Sequence, residues 1–325
     1  MTGRIGAVSF LARPPWWGAD LQTLRDHLWE WPAPPLAGGE RIEFPMPDGD
    51  RLVGMLDRPA EASDRPLLVL IHGLTGCQDS NYMKTSARHF LAQGYPVLRL
   101  NLRGAGPSRA LCRMSYHAGR SEDLQAVLAQ MDGRLARHGL LLVGYSLGGN
   151  ILLKHLGEQG RRAQVLAAAS ISAPIDLTAT HRAMSRWRNR AYQDFMLRWM
   201  KREALAPESD LTPAERAALP AITTIREFDD RIVSPRNGFL GVDDYYERCS
   251  AKHYLHDIRV PTLLIHALND PWIPGRIYRE FDWAANPRLK PVLPRGGGHL
   301  GFHGWGSPHP AHDRWMSEFF AAARR

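Results

Sequence analysis

Cysteine is scarce in this chain of 325 residues. The three that occur, Cys77, Cys112 and Cys249, lie far apart, form no CxxC pair and have no histidine at zinc-finger spacing. A disulfide framework or a zinc finger would need cysteines that are paired or closely spaced, so neither class of protein fits. A reduced, cytoplasmic compartment is therefore expected.

Long hydrophobic runs are also missing. No uninterrupted apolar stretch approaches the ~20 residues of a membrane span. The N-terminal segment holds one short apolar patch, broken by Arg13 and two prolines, without the features of a secretory leader. We therefore expect a soluble protein with no stable membrane insertion. Hydrophobic residues still make up 44% of the chain, which is ordinary globular usage and enough to bury a core.

A block of lysine or arginine is the third feature that the sequence lacks. The formal net charge is +8, but the arginines are scattered and no nucleic-acid-binding motif occurs. This charge is compatible with an anionic partner such as a phospholipid surface, an acyl thioester or a nucleic acid. A solvated surface is the simpler interpretation, and we expect no nucleic-acid partner.

Apolar runs alternate with amphipathic stretches along the chain. Two extended runs, 41–44 and 52–56, flank the turn sequence PDGD and predict a β-hairpin near the N-terminus. Five further apolar runs are too short for helices and are typical of buried strands: 66–73, 95–104, 138–146, 165–174 and 260–270. Strands that alternate with helices need right-handed crossovers, so the pattern predicts a mostly parallel central sheet flanked by helices.

Amphipathic sequences between the runs predict the helices. They cover 86–93, 121–138 and 148–159. The second opens with Ser121, whose residue type predicts an N-cap, and capping is also the interpretation we favour for His117 and Asp123.

The alternation fails between residues 175 and 257. This stretch is largely helical in pattern and rich in arginine and aromatic residues, so it predicts a helical cap inserted over the carboxyl edge of the sheet. Residues 1–40, with several prolines and four tryptophans, are expected to wrap the domain; the tryptophans are Trp16, Trp17, Trp29 and Trp31. The whole chain, 1–325, is therefore interpreted as one decorated α/β domain.

The strongest chemical motif is G-x-S-x-G around Ser146. It spans Gly144 to Gly148 and stands between a predicted strand and a predicted helix. A tight turn at such a boundary exposes a serine hydroxyl, and small glycines let the neighbouring backbone pass closely. This context predicts that Ser146 is a nucleophile and that the fold is that of an α/β-hydrolase.

A serine nucleophile needs a base and an orienting acid, which follow it in the order acid, then histidine. Asp270 ends the apolar run 260–270 and is predicted to be the acid, although turn capping is its simpler role. Five other aspartates are rivals in or beside the insertion: Asp176, Asp229, Asp230, Asp243 and Asp244.

His299 is the predicted base. It follows the short apolar run LKPVLP and three glycines that allow a loop to cross the sheet edge. His303 and His309 are the nearby competitors. Earlier in the chain, the turn after the first buried strand is HGLTG, 72–76, where this fold supplies half of an oxyanion hole. The backbone N–H groups of Leu74 and Leu147 are the predicted oxyanion donors.

Several segments together resemble one family, the YheT-like or AB-hydrolase-4 group of α/β-hydrolases. They extend from about Arg41 to the C-terminus and are HGLTG (72–76), NLRGAGPS (101–108), GYSLGGN (144–150), REFDD ending at Asp230, GVDDYYERCSAKHYL (241–255), PTLLIHALNDPW (261–272) and GGGHLGFHGW (296–305). The resemblance implies a triad of Ser146, Asp270 and His299, hydrolysis of acyl esters, and no metal or organic cofactor.

The expected activity is that of a serine esterase acting on a small-molecule acyl ester, which could be lipid-like. Two alternatives stay open: an acyltransferase with the same triad and an alcohol or thiol acceptor, and a non-catalytic ligand-binding protein of the same fold. The cap is predicted to supply an apolar wall for the acyl chain and a basic outer face. The wall is Trp187, Phe195, Met196 and Trp199, and the outer face is Arg182, Arg186, Arg188, Arg190 and Arg198.

Overall fold

The computed structural model describes residues 10–28, 36, 38–131, 133 and 135–323. Trp29 and Trp31, part of the predicted wrapping segment 1–40, lie outside the described residues. The described residues of that segment include one helix, α1 (Gly18–Leu28). The Gln22 side chain of α1 donates to the carbonyl of His303 at 2.9 Å and accepts from its N–H at 2.7 Å. This helix is therefore bonded to a loop near the other end of the chain.

Eight strands form one sheet. In chain order they are β1 (Glu40–Pro45), β2 (Arg51–Asp57), β3 (Leu67–Ile71), β4 (Val97–Leu100), β5 (Leu140–Tyr145), β6 (Ala167–Ile171), β7 (Thr262–Ile265) and β8 (Leu289–Val292). Their order across the sheet is β1-β2-β4-β3-β5-β6-β7-β8. β1 and β2 form an antiparallel hairpin, β2 pairs antiparallel with β4, and every other pair is parallel. The predicted hairpin and mostly parallel sheet are confirmed.

Helices cover both faces of this sheet. The described residues include, after α1, the helices α2 (Asn81–Leu91), α3 (Ser121–Ala129), α4 (Leu147–Gln159), α5 (Leu177–Met184), α6 (Arg190–Ala204), α7 (Pro213–Ala218), α8 (Ile225–Phe228), α9 (Ser234–Arg236), α10 (Val242–Cys249), α11 (Arg276–Arg279) and α12 (Ala311–Ala323). Every residue of β3 and β5 is buried. Because successive strand residues point to opposite faces, Leu67 and Val69 join one apolar cluster while Leu68 and Leu70 join the other.

The region around α3 differs from the sequence prediction. α3 ends at Ala129, short of the predicted 138, and Arg120 rather than Ser121 occupies the N-cap position. The Ser121 hydroxyl instead contacts Glu158 and Lys154 of α4. Ser121 therefore joins two neighbouring helices, because a polar partner on α4 competes for the hydroxyl that could otherwise cap α3.

Asp123 is likewise engaged in a buried ion pair rather than in capping. Arg103, in the loop after β4, is 2% exposed and lies 2.6 Å from both Asp123 and Asp50, and 2.8 Å from Asp48. Burial alone would lower the pKa of Arg103, but the three carboxylates raise it well above its usual range. A buried guanidinium needs such partners to offset its desolvation, and here they fix the hairpin turn against α3.

The segment between β6 and β7 is helical and holds α5 to α10. Its residues form a separate apolar cluster that includes Leu197, Leu219 and Phe228, and Leu74 of the loop after β3 packs against it. Between α8 and α9 the chain makes one π-helical turn, Asp229–Val233. The contact with Leu74 puts this segment over the carboxyl edge of the sheet. No helix among the described residues is long and apolar enough to cross a bilayer.

Candidate active site

Ser146 lies in a sharp turn between β5 and α4. Its backbone has φ +50° and ψ −119°, a region that residues other than glycine rarely occupy. A Cβ atom on Gly144 would lie 2.5 Å from the carbonyl oxygen of Gly148, and one on Gly148 would lie 2.4 Å from that of His72. The two glycines of the motif are therefore needed for packing, and the turn has the strand–serine–helix geometry that G-x-S-x-G predicts.

His299 lies between Ser146 and Asp270. Its Nε2 is 3.0 Å from Ser146 Oγ and its Nδ1 is 2.8 Å from Asp270 Oδ2. The backbone N–H of His299 donates to the Thr23 hydroxyl on α1 at 2.8 Å. Gly298, with φ +59°, makes the turn before it, and a Cβ there would lie 2.5 Å from a carbonyl of α1. The N-terminal helix thus holds the histidine loop in place.

Asp270 lies in a loop beyond β7. The strand ends at Ile265, so Asp270 does not close it as the apolar run 260–270 predicted. Its Oδ1 accepts hydrogen bonds from the N–H groups of Trp272 and Ile273 at 2.9 and 3.0 Å, which leaves Oδ2 for His299. Burial raises the pKa of Asp270, but His299, His266 and the N–H of Ile273 together more than offset it, so the pKa lies below its usual value. The group is a carboxylate at neutral pH.

The rival aspartates are engaged elsewhere. Asp176 caps α5, Asp229 accepts from the hydroxyl of Tyr246, Asp230 from the N–H of Val242, Asp243 from Arg226, and Asp244 from the N–H of Leu240. Within the described residues, no group of three or more His, Cys, Asp or Glu side chains is arranged to hold a metal ion.

The loop 72–76 approaches Ser146 directly. A Cβ on Gly73 would lie 2.9 Å from the Cβ of Ser146, so a larger residue there would displace the serine. Two phenol groups hold the backbone on either side of Leu74. Tyr82 accepts from the N–H of Gly73 at 2.9 Å, and Tyr116 accepts from that of Thr75 at 2.7 Å.

His72, at the start of the loop, is also fixed. Its Nδ1 lies 2.7 Å from the carbonyl oxygen of Gly73, and its Nε2 accepts from the N–H of Leu102 at 3.0 Å. Burial lowers the pKa of His72 to about 4. The ring is therefore neutral, and it holds the loop.

The backbone N–H groups of Leu74 and Leu147 are the predicted oxyanion donors. In the part of the chain that the structure describes, neither has a hydrogen-bond partner. Leu147 is the first residue of α4, where a helix leaves its N–H groups unpaired and concentrates partial positive charge. Leu147 follows Ser146 directly in the chain, and Leu74 lines the same cavity as Ser146.

A cavity of about 1040 Å³ opens above Ser146 and His299. It is large enough for a lipid-sized ligand, since small-molecule sites commonly measure ~300–1,000 Å³. Its apolar lining comes largely from the segment between β6 and β7 and includes Leu177, Met184, Trp187, Phe195, Met196, Met200, Phe228 and Ile232. Trp272 also lines it, and its ring lies 4.2 Å from that of His299.

The four apolar residues predicted to form an acyl wall separate into two groups. Trp187, Phe195 and Met196 line the cavity. Trp199 instead lies on the outer side of α6, where its ring contacts Phe195 at 6.3 Å and the guanidinium of Arg202 at 5.0 Å.

Two carboxyl groups lie in the cavity wall: Glu203, which the sequence did not single out, and Asp229, which it gave only as a rival for the acid role. Burial raises the pKa of Glu203 and of Asp229 to about 7, while hydrogen bonds from Tyr116 and Tyr246 lower it only in part. The Tyr116 hydroxyl lies 3.3 Å from Glu203 and 2.7 Å from the N–H of Thr75. No local pattern signals these contacts, because the partners are separated by 17, 41 and 87 residues along the chain.

A serine, histidine and aspartate joined by hydrogen bonds at the carboxyl edge of a mostly parallel sheet define the α/β-hydrolase class. The family model for the alpha/beta hydrolase fold matches residues 66–304. The chain belongs to the α/β-hydrolase family, as its motifs predict.

Among curated relatives, the chain is similar to the Escherichia coli (strain K12) protein named "Putative esterase YheT". The two are 34% identical over 83% of this chain and 80% of that one. Human phospholipase ABHD3 is 27% identical over 82% of this chain, which spans 64% of that longer protein. The resemblance to the YheT-like group is thereby confirmed.

Solved structures show the same fold. The Pyrococcus furiosus esterase Pf2001 superposes with a TM-score of 0.61 and 17% identity, over 97% of this chain and 98% of that one. The predicted fold class is confirmed.

Proposed function

We propose that the protein hydrolyses carboxylic esters through an acyl-enzyme, with Ser146 as nucleophile, His299 as base and Asp270 as orienting acid. One observation carries this proposal. Ser146, His299 and Asp270 are linked in series by contacts of 3.0 and 2.8 Å beneath an apolar cavity. The names of the relatives, an esterase and a phospholipase, agree with ester substrates.

In the first half of the reaction, Ser146 Oγ attacks the ester carbonyl carbon as its proton moves to His299 Nε2. The carbonyl oxygen becomes an oxyanion, which the N–H groups of Leu74 and Leu147 stabilise. Asp270 stays ionised, holds the Nδ1–H tautomer of His299 and stabilises the imidazolium. His299 then gives its proton to the departing alcohol, and an ester of Ser146 remains.

In the second half, a water molecule replaces the alcohol. His299 takes a proton from the water as its oxygen attacks the acyl carbon, and a second oxyanion forms at the same two amides. Collapse of this intermediate breaks the bond to Ser146 Oγ, which recovers a proton from His299. The products are a carboxylic acid and the free enzyme.

The substrate class follows from the cavity. Its size and largely apolar lining favour a small lipid-like ester whose acyl chain lies against α5 and α6. In this proposal the segment 175–257 is a cap of the single domain, and it selects the acyl chain without taking part in bond breaking. The cytoplasmic location stays a prediction from the sequence.

Active-site labelling tests the proposal. A fluorophosphonate should form one adduct, located on Ser146 by tandem mass spectrometry, and Ser146→Ala should lose both the adduct and the hydrolysis of p-nitrophenyl esters. Ser185→Ala is a matched control, because the Ser185 hydroxyl also lies near a histidine, 3.1 Å from His181 Nε2, but on an exposed helix end. A label elsewhere, or an active Ser146→Ala protein, would refute the assignment. Product analysis with added alcohol separates hydrolysis from acyl transfer.

A further inference from the structure

Residues 182–202 concentrate positive charge on one part of the surface. They include seven cationic side chains and a single carboxylate, that of Asp194. The arginines are all exposed, and they are Arg182, Arg186, Arg188, Arg190, Arg198 and Arg202. We call this stretch the basic rim. It carries most of the net charge of +8 of the whole chain, so the charge is not uniformly scattered as the sequence suggested.

Large aromatic side chains are interleaved with these arginines. The side chain of Trp187 is 90% exposed, that of Phe195 is 42% exposed and that of Trp199 is 39% exposed. Trp187 and Phe195 also line the apolar cavity. A residue that is both exposed and part of the cavity wall lies at its opening, so the basic rim borders the entrance to the site.

Most of this charge is not neutralised within the protein. Arg188 pairs with Asp20 of α1 at 2.9 Å, and Arg190 lies 3.8 Å from Asp194. Among the described residues, the other four arginines of the basic rim form no ion pair with a carboxylate. Those four side chains remain available to an anion outside the protein.

We propose that the basic rim docks the protein on the surface of an anionic lipid bilayer. Exposed tryptophan and phenylalanine partition into the interface between headgroups and acyl chains, and arginine is attracted to anionic headgroups. Trp187, Phe195 and Trp199 together form a group of exposed aromatic side chains bordered by arginines, and an apolar patch with a polar rim is typical of a protein or membrane interaction site. The bilayer provides both the negative charge and the apolar phase, and the cavity continues inward from it. This inference goes beyond ester hydrolysis, because binding requires no turnover.

Vesicle sedimentation tests the docking directly. The full chain carries Ser146→Ala, which prevents turnover of lipid. It is mixed with phosphatidylcholine vesicles that contain either no anionic lipid or about 30 mol% phosphatidylglycerol. Binding should require the anionic lipid and should weaken as salt is added. Arg186→Gln with Arg198→Gln should lower the partition coefficient roughly 25-fold, about fivefold for each of the two arginines removed. Trp187→Ala should also weaken binding, with no loss of packing, since that ring is exposed.

The matched control removes the same charge at the opposite side of the domain, near the amino ends of the parallel strands. Arg161 and Arg162 are exposed and follow the end of α4, which runs away from Ser146. Arg161→Gln with Arg162→Gln should bind as the parent does. The proposal is overturned if both pairs of substitutions weaken vesicle binding equally, if neutral vesicles bind as well as anionic ones, or if no vesicle binds. Tighter binding to a DNA duplex, weakened by the same rim substitutions, would overturn it in favour of a nucleic-acid surface. None of these outcomes affects the ester-hydrolysis assay of the wild-type protein, so the docking proposal and the proposed function are tested separately.

Discussion

Replacement of Asp270 by asparagine tests the proposed site most sharply, because the structure dictates how the amide must orient. The Oδ1 atom accepts two backbone N–H groups, from Trp272 and Ile273. An asparagine at this position keeps those two bonds only if its carbonyl oxygen takes the place of Oδ1. Its NH₂ group then faces His299 Nδ1.

That orientation reverses the tautomer of His299. The NH₂ group can only donate, so Nδ1 must accept, and the proton of the neutral ring moves to Nε2. Nε2 lies 3.0 Å from Ser146 Oγ and can then no longer take the serine proton. The imidazolium also loses its carboxylate partner. Together these losses should reduce kcat by about 10⁴-fold, or ~5.5 kcal/mol in the activation barrier.

The assay compares kcat for p-nitrophenyl butyrate in the wild type, Asp270→Asn and Asp230→Asn. Asp230 was a rival for the same role, and its carboxylate accepts from the N–H of Val242 in the insertion, so its asparagine variant should keep the wild-type kcat. Circular dichroism and thermal unfolding check that each protein is folded. A kcat within tenfold of wild type for folded Asp270→Asn would refute the tautomer argument and move the acid role to another residue.

Three further perturbations follow from the cavity. Tyr116→Phe leaves the N–H of Thr75 without its acceptor, a cost of about 1–3 kcal/mol for a buried donor. We therefore expect kcat to fall about tenfold with little change in KM as the Leu74 amide loses alignment; an unchanged kcat would show that the phenol is dispensable. Phe195→Ala should shift the kcat/KM ratio between long and short acyl esters by about tenfold, whereas equal losses on all esters would assign Phe195 to packing. Burial raises the pKa of Asp229 to about 7. The protonated carboxyl therefore makes its full contribution to the free energy of unfolding below pH ~4, which is the pKa in the unfolded chain. This contribution, up to about 4 kcal/mol, is lost as the pH rises toward 7. Melting temperatures between pH 4 and 8 should therefore fall less steeply for Asp229→Asn than for wild type, and parallel curves would contradict the buried carboxyl as the cause.

Local pattern in the sequence was enough to predict the sheet and the serine turn. β3 and β5 are buried on both faces, so each must be apolar throughout. A short apolar run that ends at glycine can be recognised directly in the sequence. Gly144 and Gly148 are required by contacts with neighbouring backbone, which is why they appear as a motif around Ser146. The α/β-hydrolase class was therefore predictable from the sequence alone.

Local pattern was not enough at positions where distant segments compete for a side chain. Ser121 has the residue type of an N-cap, but Lys154 and Glu158 of α4 contact its hydroxyl. Asp123 was interpreted as a capping residue, and the buried guanidinium of Arg103 binds it instead. Partners separated by 20 or more residues leave no periodic signal, so the stronger contact could not be identified from the sequence.

The sequence by itself determined which residues could serve as nucleophile, base and acid, since chemistry restricts those roles to few residue types in a known chain order. Only the tertiary structure decided which of them meet. Asp270, Ser146 and His299 come together because three parallel-strand ends share one edge of the sheet, with α1 fixing the histidine loop through Thr23. The structure alone also decided that Trp187 is exposed at the cavity opening while Trp199 lies outside the cavity. A side chain's burial depends on every element packed around it, and the order of residues along one helix does not contain that information.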